Sequence, residues 1–349
     1  MLFRSLYQNV TIGGVDRQGR DAVNPLSFLI LKTVGEMRLT QPNLTVRYHR
    51  GMGEDFLKAS LDVIAKGFGM PAFNNDEVVI PGMVERGVSL GDARDYSAIG
   101  CIEVAVPGKW GYRTTGMSFL NLMRVFLAAL DDGRDATSGK AFLPGTGRLP
   151  DFKNFGALMD ALKKQMLFYT RASVAVDTAV DTALEELVPD VLLSAFTDDC
   201  IGRGRHLKEG GAVYDFISGL QVGVANLGNS LAAIRKLVYE DRSVSAAELM
   251  QALANDFGGP GGEALRLRLL NKAPKYGNDD EEADALLVEA YGWYIDEIEK
   301  HHNTRHGRGP IGGGYYPGTS SISANVPSGS VVKATDRKST RLNSSHRIR

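Results

Sequence analysis

The first hundred residues alternate between short apolar runs and longer segments of helical period, and this rhythm narrows the fold more than any other feature of the chain. Val10, Ile12 and Val15 suggest a short strand and hairpin, with Gly13-Gly14 and Gly19 as turns. Pro25 suits the first turn of a helix over Leu26 to Met37. Gln41 to Arg47 reads as a buried strand, Phe56 to Gly67 as a second amphipathic helix, and Gly69 to Asp76 as a turn-rich connection. Val78 to Ile80 reads as a brief strand, Met83 to Gly87 as a helical turn, and Asp95 to Val106 as a further extended segment. Strand, helix, strand, helix, strand is the order of parallel βαβ units, whose strands are buried on both faces and read as short apolar runs. The expected fold class is α/β.

The remainder reads as mostly helical. Ser118 is placed to cap a helix over Phe119 to Leu130, with Gly133 just past its end. Residues 131–152 form a loop rich in glycine and proline, and Asn154 to about Leu187 is one long amphipathic helix stopped by Pro189. Leu192 to Ile201 reads as a buried helix or strand holding Cys200. Gly223 to Tyr239 is a helix of small residues, and Ser245-Ala-Ala-Glu248 is a capping box opening a helix to about Phe257. A last helix is expected from Glu281 to about His301, with residues 305–330 irregular.

Composition enters through what it excludes. The 349 residues, 43% hydrophobic and 23% charged, are enough for a large core. Two cysteines allow no disulfide framework and show no zinc spacing. The opening residues lead to no cleavable leader, and the most apolar run, Phe119 to Leu130, is too short for a bilayer, so a cytoplasmic protein with no membrane partner is expected. The net charge of −1 is set by the last fourteen residues, Asp336 to Arg349, which carry five Lys or Arg and one Asp; without them 35 basic residues face 40 acidic. That tail has no apolar periodicity, reads as a translated adapter joined to a broken frame, and is set apart from a domain over 1–335. It lacks the interleaved aromatics of a nucleic-acid segment, so no nucleic-acid partner is expected.

One stretch combines groups that could do chemistry. Ala98-Ile-Gly-Cys-Ile-Glu103 holds Cys101 and Glu103, with Pro107, Gly108, Trp110, Gly111 and Tyr112 following. In extended backbone, residues two apart share a face, so the Cys101 sulfur and the Glu103 carboxylate would face one space. Gly100 permits a sharp turn or a close approach. Free cysteines are more often small buried hydrophobes than reactive groups, and the residues alone leave both readings open. Trp110 and Tyr112 are pocket walls or ordinary core. Lys109 and Arg113 either attract an anion or are simply solvated, and solvation is the plainer reading. Cys200 reads as structural. His301, His302 and His306, near the end of a helix, suit its dipole better than a metal, and no metal is expected. Adjacent carboxylates such as Asp198-Asp199 and Asp279-Asp280 diverge on a helix and make no acid–base couple. No nucleophile elbow with an ordered serine triad is present.

An ordered set of motifs along the chain resembles the glycyl radical enzymes, the superfamily of pyruvate formate-lyase and the glycyl radical dehydratases. It comprises Asn9-Val-Thr-Ile-Gly-Gly14, Gln41-Pro-Asn-Leu-Thr-Val-Arg47, Asn75-Asp76, Gly100-Cys-Ile-Glu103, Asp199-Cys-Ile-Gly-Arg203, Gly210-Gly-Ala-Val-Tyr214, Asn229-Ser-Leu231 and Lys275-Tyr-Gly-Asn-Asp-Asp280. The resemblance implies a share of a ten-stranded α/β barrel with the cysteine loop inside. It implies that Cys101 becomes a thiyl radical that takes hydrogen from a small substrate, and that Glu103 is the general base. Trp110, Tyr112, Thr114 and Thr115 would line the substrate. The cofactor implied is a backbone glycyl radical outside this chain, installed by an S-adenosylmethionine/iron-sulfur activase, and the full-length protein would be a homodimer.

The departures are informative. Ile102 stands where pyruvate formate-lyase has a second cysteine, which argues against acyl transfer to make formate and an acetyl group. Thr114-Thr115 stand where diol dehydratases carry an Asp, and Thr115-Gly116 resembles the hydroxyproline dehydratase and arylacetate decarboxylase branches. The expectation is a fragment of a radical lyase, inactive by itself, lacking the early half of the barrel and the glycine loop. The other readings are a formate acetyltransferase and a catalytically silent homologue.

Overall fold

The computed structural model describes residues 8–38, 42–100, 103–112, 115–135, 138–143, 145–278 and 281–317. They divide into two compact units, one of the described residues within Met1–Gly116, Thr178–Ser218 and His302–Tyr315, the other of those within Met117–Asp177, Gly219–His301 and Tyr316–Arg349.

The first unit opens as the alternation predicts. Strands β1 (Asn9–Gly13), β2 (Asn43–Tyr48) and β3 (Ala72–Asn75) form a parallel sheet with β2 in the centre. Helices α1 (Pro25–Met37) and α2 (Glu54–Ile64) make the crossovers. Asn24 caps α1 in a reciprocal capping box with Ser27, and Pro25 occupies its first turn, where a missing N–H costs nothing. Leu31 from α1, Leu44 and Val46 from β2, and Phe56 and Val63 from α2 close the core beside the sheet. Burial of this kind contributes about 1.5–3 kcal/mol per large side chain.

The third strand is not where the apolar runs place it. Ala72–Asn75, expected as a turn, is β3, and Val78 to Ile80, expected as a strand, lies inside helix α3 (Asp76–Glu85). The Asn75 side chain accepts the Glu77 N–H, and Asp76 and Glu77 supply negative charge to the first turn. That start signal outweighs three β-branched residues. Helix α4 (Leu90–Arg94) follows. The expected extended segment Asp95 to Val106 is then two short antiparallel strands, β4 (Ser97–Ile99) and β5 (Glu103–Ala105).

Strand β6 (Thr115–Asn121) precedes α5 (Leu122–Leu130). Ser118, expected as the cap, is therefore a strand residue whose hydroxyl donates to Asp177, and Asn121 does the capping. At the other end Asp132 takes the left-handed position and the Gly133 N–H bonds to the Ala128 carbonyl, so the glycine sits one residue later than predicted. The long helix α6 (Phe155–Leu187) is as read. Helices α7 (Val191–Ala195) and α8 (Cys200–Arg203) replace the expected buried segment, and Leu192, Phe196 and Ile201 are three-quarters exposed. An apolar run states no burial partner, and none covers these side chains among the described residues. Cys200 itself is buried with Leu207 and Ala212, and burial, then Asp199, pushes its thiol up.

Strand β7 (Tyr214–Val222), buried throughout, leads into α9 (Val224–Ile234), which continues as a π-helical turn to Glu240. Then come α10 (Ala246–Ala254), α11 (Gly262–Asn271), α12 (Glu281–Ile298) and β8 (Ile311–Pro317). The Ser245–Glu248 capping box is present. Helix α11 has no counterpart in the sequence reading, and β8 replaces an expected irregular stretch: its glycines deny it strand propensity, and pairing supplies the order. The third sheet has the order β6-β7-β8. No sheet among the described residues closes on itself. Nor is any described helix long and apolar enough to cross a membrane. Asp279-Asp280 and the tail Asp336 to Arg349 lie outside the described residues.

Within the second unit, Glu297 near the end of α12 is buried and accepts from Arg171 at 2.6 Å and Lys300 at 3.1 Å. The Arg171 hydrogen bond is the chief cause of a carboxyl lowered from the ordinary 4.5 to about 2, burial opposing it. A depressed folded-state pKa gives stability that is full above the unfolded value and lost as pH falls through the folded one. Glu297→Gln is therefore expected to destabilise the chain at neutral pH and to flatten the loss of stability between about pH 5 and 2. Denaturant midpoints measured across that range test it, and parallel wild-type and variant profiles would overturn the assignment.

Candidate active site

The cysteine loop is framed by side chains from the parallel sheet. Register in the first sheet sets Asn9 opposite Asn43. Both side-chain amides donate to the Gly100 carbonyl, Asn43 at 2.8 Å and Asn9 at 3.4 Å. The Thr11 hydroxyl oxygen accepts the Ala98 N–H at 3.1 Å and the Ser97 hydroxyl at 2.9 Å. Strands β1 and β2 thus hold the arm of the β4–β5 pair that ends at the loop.

Gly100 has φ +57°, a conformation few side chains tolerate. A Cβ there would stand 3.0 Å from Glu103 Oε2 and 4.0 Å from its Cδ, the Glu103 carboxyl being what it meets among the described residues beyond its chain neighbours. Glu103 opens β5, faces Ile99 across the pair, and is 8% exposed. Its carboxylate therefore lies against the backbone immediately before Cys101. Cys101 and Ile102 lie outside the described residues, as do Arg113 and Thr114; Thr115 begins β6, its side chain likewise undescribed. The expectation that the Cys101 sulfur and the Glu103 carboxylate share a face therefore lies outside the described residues, while on either side of the loop β4 and β5 pair antiparallel.

Beyond the loop the chain is strung along β7. Tyr214 accepts the Gly111 N–H at 2.7 Å through its carbonyl and gives its own N–H to the Lys109 carbonyl at 2.9 Å. A side chain at Gly111 would run into the Asp215 carboxylate, so this approach requires glycine. Trp110 packs on Tyr214 and Phe216 with ring centroids 5.9 and 5.5 Å away. Tyr112 is 36% exposed and takes the Lys208 ammonium 4.2 Å from its ring centre.

Lys109 is neither an open anion receptor nor merely solvated. Its ammonium bonds Asp92 at 2.9 Å, and the same carboxylate accepts from Arg17 at 2.9 Å and the Tyr214 hydroxyl at 2.7 Å. Burial would raise the Asp92 carboxyl, but the donors from Lys109, Tyr214 and Arg17 overcome it and hold it far below the usual range. Asp92 is a fixed anion that ties the segment after the loop to α4.

A second buried charge group lies on β7. Arg305 bonds Asp215 at 2.6 Å and Asp181 at 3.0 Å, all three almost fully buried. Burial pushes the Asp215 carboxyl up, against the pull of Arg305. Among the described residues no three His, Cys, Asp or Glu side chains gather to hold a metal. His301 approaches Glu297, while His302 stacks on His306 with centroids 3.9 Å apart.

Sequence reasoning singles out Glu103, Trp110 and Tyr112; it carries Asn9, Thr11 and Asn43 only as members of longer motifs, without a role, and passes over Asp92. The available signal is Asn in a strand, where it is depleted; its target becomes visible only once the register is known.

With this geometry in hand, comparison with known proteins identifies the class. The model of the pyruvate formate lyase-like family matches residues 2–329, and the chain belongs to that family, the glycyl radical enzymes. It is 60% identical over 335 residues to the probable dehydratase YbiW of Escherichia coli K12, covering 95% of this chain and 41% of that protein. The B12-independent glycerol dehydratase of Clostridium butyricum, solved with glycerol bound, superposes with a TM-score of 0.80 at 38% identity, covering 93% of this chain and 40% of that one. A glycyl radical enzyme from Archaeoglobus fulgidus superposes with a TM-score of 0.78 at 32% identity, again over 93% and 40%. The α/β fold is that of these enzymes, and the chain spans about two-fifths of the length of the relatives it matches.

Proposed function

We propose that this chain is the cysteine-loop part of a glycyl radical dehydratase, within a PFL-type domain over residues 1–335 that excludes the tail. In the whole protein its parallel strands belong to a ten-stranded barrel with the loop inside. The observation that carries the reading is the buried Glu103 carboxylate set against Gly100 at the loop, in a chain 60% identical to a probable dehydratase.

A backbone glycyl radical, installed by an S-adenosylmethionine activase, would supply the hydrogen-atom acceptor that readies Cys101. The loop fits such a neighbour: Gly100 leaves its side-chain direction met by Glu103 alone among the described residues. The chemistry of this chain's own residues then balances. The Cys101 sulfur radical takes a hydrogen atom from a substrate C–H. Glu103 takes the proton of the hydroxyl on that carbon and passes it to the neighbouring C–OH, which leaves as water. Cys101 S–H returns the hydrogen atom to the product radical. Base and radical must reach one small molecule together, and that demands a rigid loop. Trp110, Tyr112, Thr114 and Thr115 would shape the space for it. The working protein is a cytoplasmic homodimer with the activase as its transient partner.

The test is anaerobic. A full-length protein carrying this segment is activated with its activase, its radical is counted by electron paramagnetic resonance, and small vicinal diols and hydroxyproline are assayed for loss of water. Turnover of one of them is the expected result. A fully formed radical with no dehydration across the set would overturn the reading.

A further inference from the structure

The oxygen that Asn43 and Asn9 hold belongs to the peptide group joining Gly100 to Cys101. A trans peptide group is planar and carries both flanking Cα atoms with it. Fixing that oxygen therefore restrains the described backbone that leads into Cys101. Two amides converge on it because the parallel register sets Asn9 and Asn43 side by side on adjacent strands. The hold is one-sided: both donors come from the sheet, and the adjoining β4 residues Ser97 and Ala98 are tied to the same sheet through Thr11. The Gly100 conformation, φ +57°, presents the carbonyl to the sheet while its missing side chain leaves room for Glu103 Oε2.

We propose that Asn43, assisted by Asn9, is the positioning residue for Cys101; this rests on reading Cys101 as the hydrogen-atom carrier. Hydrogen-atom transfer between sulfur and carbon requires the two in contact, and a misplacement of about 1 Å can cost about a hundredfold in rate. Asn43 makes the shorter bond and dominates. Its amide donates to the loop backbone, so its loss is expected to affect turnover and to leave binding nearly unchanged.

The experiment uses the activated full-length protein, with Asn43→Ala, Asn43→Asp and Asn9→Ala beside Cys101→Ala. At equal radical content by electron paramagnetic resonance, Asn43→Ala is expected to lower kcat about a hundredfold with KM within about twofold. Asn43→Asp keeps the size but has no N–H to give, and is expected to match Asn43→Ala. Should the alanine variant fail to fold, the isosteric aspartate decides. Asn9→Ala is expected to lose about tenfold, in keeping with its longer bond. Wild-type kcat in both Asn43 variants, with Cys101→Ala inactive, would overturn the positioning role alone. A kcat that falls only in proportion to radical content would also overturn it, placing Asn43 in activation. Turnover by Cys101→Ala would overturn the underlying reading instead.

Discussion

Asp76→Ala is expected to destabilise the first unit by about 3–5 kcal/mol, the range for removing one partner of a buried ion pair. Arg47 on β2 lays its guanidinium on the Asp76 carboxylate through two bonds, Nε at 2.9 Å and Nη2 at 2.8 Å, with side chains 7% and 2% exposed. The carboxylate also accepts from the Tyr96 hydroxyl at 2.8 Å and the Val15 N–H at 2.9 Å. The guanidinium completes its set on the carbonyls of Arg94 and Tyr96 and lies 4.0 Å from the Tyr96 ring centre. Truncating Asp76 would leave a buried cation without its counter-ion, and a buried phenol and a half-buried amide without this acceptor. Arg47→Met combined with Asp76→Leu removes both charges and is expected to recover most of the loss, since an apolar pair of similar volume is often neutral or better. Chemical denaturation of the three variants decides the matter. A single Asp76→Ala within 1 kcal/mol of the parent would mean that water reaches the pair.

That cluster also shows where sequence reading reaches its limit. Local signals place α1 and α2 well: Pro25 and the apolar spacings over Leu26 to Met37 and Phe56 to Gly67 act within a few residues of where they sit, and the Asn24 cap adds to the first. The parallel order of β1 and β2 followed from those crossovers. Strand β3 was invisible because Ala72-Phe-Asn-Asn75 has little strand propensity and is ordered by pairing with β2. Val78-Val-Ile80 misled in the opposite sense, since a cap three residues upstream overrides an apolar run. Ser118 and Asn121 are both good caps by type, and only the bonds from Ser118 to Asp177 on α6 decide between them. The site divides the same way. Glu103 stands out in the sequence because it lies two residues from Cys101. Asn9 and Asn43 act on a carbonyl 91 and 57 residues away, a distance that only the sheet closes.

The largest catalytic effect is expected at Cys101, and the contrast with Glu103 gives it meaning. In the activated full-length protein, Cys101→Ala and Cys101→Ser should both bring dehydration to background. Alanine has no thiol to carry the radical, and the O–H bond of serine is too strong to be made and broken reversibly against a carbon–hydrogen bond. Stability should change by less than about 1 kcal/mol, because neither variant enlarges the residue or adds a charge. Glu103→Gln removes the proton acceptor and leaves the sulfur in place. Its kcat should fall by about 10²–10⁴, the usual worth of a positioned base, while hydrogen exchange between Cys101 and substrate continues. Substrate deuterated at the reacting carbon makes the distinction measurable. Loss of deuterium to solvent through the exchangeable S–H should persist in Glu103→Gln and vanish in Cys101→Ala. If Glu103→Gln abolished that exchange as completely as Cys101→Ala, the carboxylate would be acting before the carbon–hydrogen bond breaks, and its role as the base in water loss would have to be given up.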